Sequence, residues 1–249
     1  MTDWPVGYDR IILDAVDSTN AEAARRAPDL AGPTWILARH QTAARGRRGR
    51  VWSMPAGNFA ATLVLRPTET PDVVALRSFI AGLALFDALV AITGRTEPFA
   101  LKWPNDVLVN GGKVAGILLE SLGQGHNVQY LGIGIGVNLA QAPDAAFVEA
   151  GATRPVSVLA ETGIAVSPQD FLTPLAWAYA KLEQQFTTYG FAPIREAFLA
   201  RATRLGEVIT ARTTREEITG TFETIDTTGA IVLSTAHARH AIPAADIYF

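Results

Sequence analysis

Apolar and polar positions along this chain alternate in two rhythms, and the changes of rhythm mark its elements. Arg10-Ile11-Ile12-Leu13 reads as a short strand, and Trp35 to Ala38 and Asn58 to Leu65 as two more. After the first strand comes Asp17-Ser18-Thr19-Asn20, a run of favoured helix starters, and Thr19 with Glu22 has the spacing of a capping box opening a helix through Arg26. Pro71 opens a long helix of apolar periodicity, which Gly94 closes. Ala100 to Trp103 and Val107 to Val109 flank Pro104-Asn105-Asp106. The turn Asn110-Gly111-Gly112 then sends the chain back along Lys113 to Glu120. Val128 to Leu139 is a further strand with Gly132, Gly134 and Gly136 at alternate positions. One face of that strand carries no side chains there, which allows a ligand or another segment to approach closely. From Pro155 to about Arg204 the pattern is helical, with Phe171, Leu172, Leu175, Ala176 and Tyr179 on one side. After Gly206 come short β-rich runs, Val208 to Ala211, Ile218 to Ile225, Ala230 to Leu233 and Ala238 to Ile242.

This order predicts an α+β chain of two units: a mixed-sheet domain over residues 1–205 and a small all-β module over 206–249. The module is close to the size at which a core is only marginally self-sufficient, so it is expected to lean on the larger unit. Residues Phe79 to Thr93 form the most apolar stretch, but Asp87 interrupts it and its length falls short of a bilayer span, so it is expected to be a buried helix. The start of the chain shows neither a basic nor an apolar leader segment. Cysteine is absent, which excludes disulfides and thiolate metal sites and suits a reducing compartment. A net charge of −3 argues against a general nucleic-acid binder. His40, His126, His237 and His240 lack metal-ligand spacing, and Gly132-Ile133-Gly134-Ile135-Gly136 lacks that of a dinucleotide fingerprint.

Against this sparse charge, Arg45-Gly46-Arg47-Arg48-Gly49-Arg50 places four arginines in six residues. Guanidinium forks match carboxylate and phosphate oxygens, and the glycines let the backbone wrap a compact anion. A solvated basic loop or a nucleic-acid patch is the alternative. No other basic surface extends such a patch, and Trp52 follows as a ring able to close over a ligand. A second cluster, Lys102-Trp103-Pro104-Asn105-Asp106 with Lys113, sets a carboxylate and two lysines around one hairpin. Asp106 is a candidate Mg²⁺ ligand. Spacing alone leaves Lys113 equally an exposed hairpin lysine.

Taken in order, Asp17 to Asn20, Gln41-Thr42-Ala43-Ala44 with Arg45 to Trp52, Lys102 to Asp106, Lys113-Val114-Ala115-Gly116-Ile117-Leu118-Leu119-Glu120 and Gly134 to Asn138 resemble the biotin protein ligase family over nearly the whole chain. The resemblance implies a catalytic domain of the biotin/lipoate protein ligase type followed by a small SH3-like β-barrel. It implies a two-step reaction: biotin and ATP with Mg²⁺ give biotinyl-5′-AMP and pyrophosphate, and a lysine of a biotin carboxyl carrier domain of acetyl-CoA carboxylase or a related carboxylase takes the biotin. By resemblance, Ser18, Thr19, Asn20, Gln41, Arg45, Gly46, Arg47, Lys113 and Gly116 line the biotin site. Arg45, Arg47, Arg48, Arg50, Trp52, Asn105, Lys113 and Asn138 meet ATP or the adenylate. Lys113, Arg47 and Arg45 are the catalytic candidates and Asp106 the metal ligand. Two residues depart from bacterial relatives, which often carry glycine in place of Ala44 and lysine in place of Val51. Only 17 residues precede Ser18, so the DNA-binding domain of bifunctional relatives, and repressor activity with it, is not expected. The implied setting is cytoplasmic, with no DNA or membrane partner, and the family includes both monomers and homodimers. A lipoate ligase shares the adenylation logic, but the arginine-glycine run distinguishes the two.

Overall fold

The computed structural model describes residues 4–124, 127–144 and 152–249; His126 lies outside them. Strands β1 (Asp9–Val16), β2 (Thr34–Gln41), β3 (Phe59–Leu65), β4 (Phe99–Lys102), β5 (Asp106–Val109), β6 (Gly112–Gln124) and β7 (Asn127–Val137) form one sheet in the order β1-β2-β3-β7-β6-β5-β4. Only β1 and β2 run parallel, so the sheet is mixed. Asn110 and Gly111, both left-handed at φ 48° and 74°, make the tight turn between β5 and β6 that the sequence predicts.

Helices α2 (Pro71–Ala75), α3 (Arg77–Thr93), α5 (Pro168–Tyr189) and α6 (Phe191–Leu199) supply the main core, and α4 (Val158–Thr162) is a short turn before α5. The long helix predicted from Pro71 is divided at Leu76, and Gly94 caps it in the left-handed region at φ 68° as expected. By length and composition the stretch Pro71–Thr93 could cross a membrane, contrary to the expectation from Phe79 to Thr93 alone, but most of it is buried. Leu83, Leu85 and Leu89 of α3 join Phe171, Leu175 and Tyr179 of α5 in one apolar cluster against the sheet. Arg77, buried in α3, is held by Glu183 at 2.7 Å and Glu69 at 2.8 Å, which compensates the cost of removing its charge from water.

On the opposite face of the sheet lies α1 (Thr19–Arg26), which packs through Ala23, with Ala27 just after it, on Ile36 and Val64. The capping box does not form: Ser18 is the N-cap, and the Glu22 carboxylate turns to Arg25 and Arg26 instead. A charged guanidinium partner outcompetes a neutral backbone N–H for that carboxylate. Trp52 of the arginine loop lies over Gly116 and Gly136 on the same face.

The small module holds β8 (Val208–Arg212), β9 (Glu217–Ile225), β10 (Ile231–Ser234), β11 (Arg239–Ile242) and β12 (Asp246–Tyr248), all antiparallel, in the order β11-β10-β9-β8-β12. β12 was not foreseen in the sequence. The module leans on the larger sheet: the buried Trp103 Nε1 donates to Gly229 O at 3.0 Å. The segment before the module bonds the free edge of β4, with Leu101 N donating to Arg201 O at 2.9 Å and Thr203 N to Leu101 O at 2.8 Å. That covers an edge otherwise open to pairing.

Candidate active site

Beside α1 the same face is a groove floored by glycine, with Trp52 and Asn20 lying over it. A Cβ on Gly136 would lie 2.7 Å from the Trp52 indole, and one on Gly116, paired with it across β6 and β7, 3.1 Å from the same ring. A Cβ on Gly134 would lie 2.2 Å from Asn20 Oδ1. The bare face inferred from the alternate glycines therefore exists, and two side chains of the predicted site rest on it.

One end of the groove is closed by the start of α1, where Ser18, Thr19 and Asn20 are all buried. Gln41, at the end of β2, accepts from Thr19 N at 2.7 Å and from Thr19 Oγ1 at 3.2 Å. Asp17 accepts from Ser18 N at 2.8 Å and holds Arg25 in a two-pronged pair at 2.6 and 3.0 Å. The Arg25 hydrogen bonds hold the Asp17 carboxyl down at about 2. Asn20 is tied to the sheet: its Oδ1 accepts from Thr62 Oγ1 at 2.6 Å, and its Nδ2 donates to Glu120 Oε2 at 2.7 Å and Leu118 O at 3.4 Å. It works in this structure as a wall bracing the strands. Beyond it, between α1 and β7, lies a mostly apolar cavity of about 180 Å³ whose lining includes Ala23, Val64, Tyr130 and Gly132 together with Arg45 and Glu120.

The arginine loop is folded. Arg45 and Val51 form an antiparallel bridge, Gly46 N donates to Arg50 O at 2.8 Å, and Trp52 N to Ala44 O at 3.0 Å. Arg48 at φ 56° and Gly49 at φ 72° turn the tip. Val51 is 89% exposed, so the lysine that relatives often carry there would face solvent. The four arginines divide. Arg45 pairs with Glu120 at 3.1 Å. Arg48 and Arg50 reach the Asp246 carboxylate of the small module at 2.5 and 3.1 Å. Arg47 points inward, donating to Asn105 Oδ1 at 3.2 Å and Ala245 O at 3.4 Å. Burial pushes the Arg47 guanidinium below its ordinary pKa. A guanidinium remains charged even so, and a partly desolvated cation is the stronger electrostatic partner for an incoming anion.

Next to Arg47 stands the lysine cluster. Lys113 Nζ lies 2.7 Å from Asp106 Oδ1 and 5.6 Å from the centre of the Trp52 ring. Lys113 is thus turned into the groove, which removes the exposed-hairpin alternative. Asn105 is clamped to β6 through Ile117, its Nδ2 donating to Ile117 O at 2.7 Å and its own O accepting from Ile117 N at 2.9 Å. Asn138 follows β7 directly; its Nδ2 donates to Val156 O at 3.0 Å, while its Oδ1 is buried without a partner. An acceptor left unpaired in a buried position beside the groove is suited to an amino group of a ligand.

The predicted residues therefore gather on one face: Ser18, Thr19, Asn20 and Gln41 at one end, Trp52 over Gly116 in the middle, and Arg47, Asn105, Asp106 and Lys113 beyond. Three partners were missed. Glu120 was in view at the end of its motif, two alternate positions from Gly116 on the same strand face. Thr62 and Asp246 gave no sequence signal, because each meets the site only through strand pairing or the docking of the small module.

Comparison with known proteins shows the family. Residues 12–138 match the biotin/lipoate A/B protein ligase family, and residues 205–249 the biotin protein ligase C terminal domain. A biotin--[acetyl-CoA-carboxylase] ligase of Paracoccus denitrificans is 60% identical, the match covering 96% of this chain and 99% of that one. The bifunctional ligase/repressor BirA of Bacillus subtilis is 30% identical over 97% of this chain and 74% of its own. The structure of the biotin protein ligase from Aquifex aeolicus in complex with biotin and ATP superposes with a TM-score of 0.82 at 27% identity, over 96% of this chain and 97% of that one.

Proposed function

The chain belongs to the biotin/lipoate A/B protein ligase family and has the ATP-dependent activity of its biotin ligases, and from that premise we propose how its own residues divide the work. Biotin carboxylate attacks the α-phosphorus of ATP, giving biotinyl-5′-AMP and pyrophosphate; an acceptor lysine amine then attacks the mixed anhydride and releases AMP. The first step brings a carboxylate up to a triphosphate, so repulsion between like charges dominates its barrier, and no protein nucleophile is needed. The observation that carries the reading is the inward convergence of Arg47 and Lys113 beside a glycine-floored groove. Fixed cations there stabilise charge as it moves onto the phosphates, at little cost in reorganisation.

In this reading Ser18, Thr19 and Gln41 answer the ureido ring of biotin, and Asn20 shapes the wall. Arg45, Gly46 and Arg47 hold the biotinyl-phosphate region, and Lys113 the carboxylate and α-phosphate oxygens. Trp52 covers the adenylate, and the unpaired Asn138 Oδ1 receives the adenine amino group. Among the described residues no three acids or histidines cluster as a metal cage. Asp106 still fits a Mg²⁺ that arrives with ATP, since that ion takes one or two carboxylates plus phosphates and water. When bound it would offset phosphate charge; Lys113 holds Asp106 in place for it. The acceptor is the biotin carboxyl carrier domain of acetyl-CoA carboxylase, met in the cytoplasm without DNA or membrane. Residues 1–205 act as the catalytic domain and 206–249 as a closing module. A second copy would pair at β1, the end strand of the sheet. Biotin-dependent exchange of labelled pyrophosphate into ATP tests the assignment. The parent protein should exchange and Lys113→Ala should not; exchange at the parental rate in that variant would overturn the role of Lys113, and none in the parent would overturn the reading.

A further inference from the structure

The segment from Lys102 to Asp106 brings Asn105 and Asp106 to the groove, yet its tryptophan is committed elsewhere. Trp103 is buried and joins Leu76 and Phe79 in the apolar cluster on the helix side of the sheet. Its Nε1 donates at 3.0 Å to Gly229 O, in the turn between β9 and β10. That turn is tightly made: Asp226 Oδ1 accepts from Thr228 N at 2.8 Å, Thr228 Oγ1 at 2.7 Å and Ala230 N at 3.0 Å. Gly229 is left-handed at φ 86°, and a Cβ there would lie 2.9 Å from Leu76 Cδ2 and Phe79 Cε2. Backbone conformation and close approach both call for glycine. Arg195 of α6 holds the strand just before the turn, donating to Ile225 O at 3.2 Å. The turn is thus seated on the larger unit and presents one carbonyl to Trp103.

Four consecutive residues of the segment have anchors, and two of the anchors come from the small module. Lys102 Nζ lies 4.7 Å from the centre of the Phe249 ring, and Trp103 bonds Gly229. Pro104 O accepts from Ser78 Oγ at 3.1 Å, and Asn105 is clamped to Ile117. A further module atom, Ala245 O, receives Arg47 at 3.4 Å, and Arg47 also donates to Asn105. Two routes from the module, one direct and one through Trp103 and Asn105, therefore end on the same guanidinium. The α1 end of the groove is held differently, by Gln41 on Thr19. An indole nitrogen has one proton to give, and burying it unpaired is costly, so the bond to Gly229 fixes how the ring sits. Cations stabilise developing charge only if they are in place before it moves. We propose that Trp103 is a positioning residue and the turn from Asp226 to Gly229 its seat. Together they hold Asn105 against Arg47 and Asp106 against Lys113, so the small module sets the ATP end of the groove and leaves the biotin end alone.

The proposal rests on the adenylation reading, and its test separates the two. Parent, Trp103→Phe and Thr228→Ala proteins are compared in biotin-dependent exchange of labelled pyrophosphate into ATP, in biotin binding by calorimetry without ATP, and in thermal unfolding. Phenylalanine keeps an aromatic ring and drops the N–H. Thr228 is exposed, so alanine there loosens the turn without opening the core. Trp103→Phe should raise the ATP concentration for half-maximal exchange about fivefold, the equivalent of one net hydrogen bond, with biotin affinity kept within about twofold. Thr228→Ala should shift the ATP dependence the same way by about twofold, part of one such bond, and it decides alone if Trp103→Phe does not fold. In an Asn105→Ala background Trp103→Phe should add less than about twofold, because its effect passes through Asn105. A lower melting temperature with the parental ATP dependence, or equal losses for biotin and ATP, overturns the positioning role. A parent that exchanges no pyrophosphate overturns the adenylation reading instead.

Discussion

Replacing Gly134 by alanine probes the floor of the groove directly. The new methyl carbon would lie 2.2 Å from Asn20 Oδ1 and 2.8 Å from its Cγ, so the Asn20 side chain must leave. Its departure breaks the bond from Thr62 Oγ1 at 2.6 Å and the bond to Glu120 Oε2 at 2.7 Å. A neutral hydrogen bond contributes about 1 kcal/mol and one to a carboxylate about 1.5–3 kcal/mol. Overpacking adds about 1–3 kcal/mol. A loss of about 4 kcal/mol follows, which for a chain of this length is roughly 10 °C in Tm. Thermal unfolding watched by circular dichroism measures it, with biotin binding by calorimetry alongside, and both should suffer because the wall of the groove moves. Asn20→Ala removes the obstacle, so the alanine at 134 should cost less than about 1 kcal/mol in that background, a coupling that a double-mutant cycle reads. A Gly134→Ala protein that melts within about 1 °C of the parent, equivalent to less than about 0.5 kcal/mol, would refute the close approach on which the site rests.

Arg47→Gly should release biotinyl-5′-AMP, so that unrelated proteins in the mixture become labelled; labelling confined to the carrier, as in the parent, would count against Arg47 as the anchor. Asp246→Asn removes the carboxylate, 15% exposed, that Arg48 and Arg50 reach, so trypsin should cut the loop several-fold faster, and biotinyl-5′-AMP should slow cutting in both proteins; equal rates in the two ligand-free proteins would contradict the latch. Burial lowers the pKa of Lys102 from the ordinary lysine value. A base whose folded pKa lies below its unfolded one lowers stability while charged, and that penalty fades as pH rises from the folded to the unfolded value. The stability of the parent relative to Lys102→Met in urea should therefore improve as pH rises towards the ordinary lysine value near 10.4; a difference that stays flat over that range would refute the depressed pKa at Lys102.

Much of this was legible locally. The strands other than β12, the Asn110-Gly111 turn and the glycine cap at Gly94 follow from spacing and backbone chemistry within a few residues. The bare face of β7 could be read from alternate glycines, but not which side chains would fill it; that depends on α1 crossing β7 and on the loop folding back over β6. Thr19 and Glu22 have a capping-box spacing, yet Arg25 and Arg26 win the carboxylate, a competition that pattern reading does not weigh. The sequence names Asn20 for the site but not its contacts there with Thr62, Leu118 and Glu120, which lie 42 or more residues away along the chain. The small module's part in the site, through Asp246 and Phe249, comes from packing between segments far apart in sequence.

The central claim is that the groove activates biotin for one acceptor lysine. Purified protein with biotin, ATP, Mg²⁺ and a biotin carboxyl carrier domain, probed with streptavidin and followed by mass mapping, tests it most directly. ATP-dependent label should appear on a single lysine of the carrier and be lost in Lys113→Ala. No label, with a control ligase active on the same carrier, would contradict it.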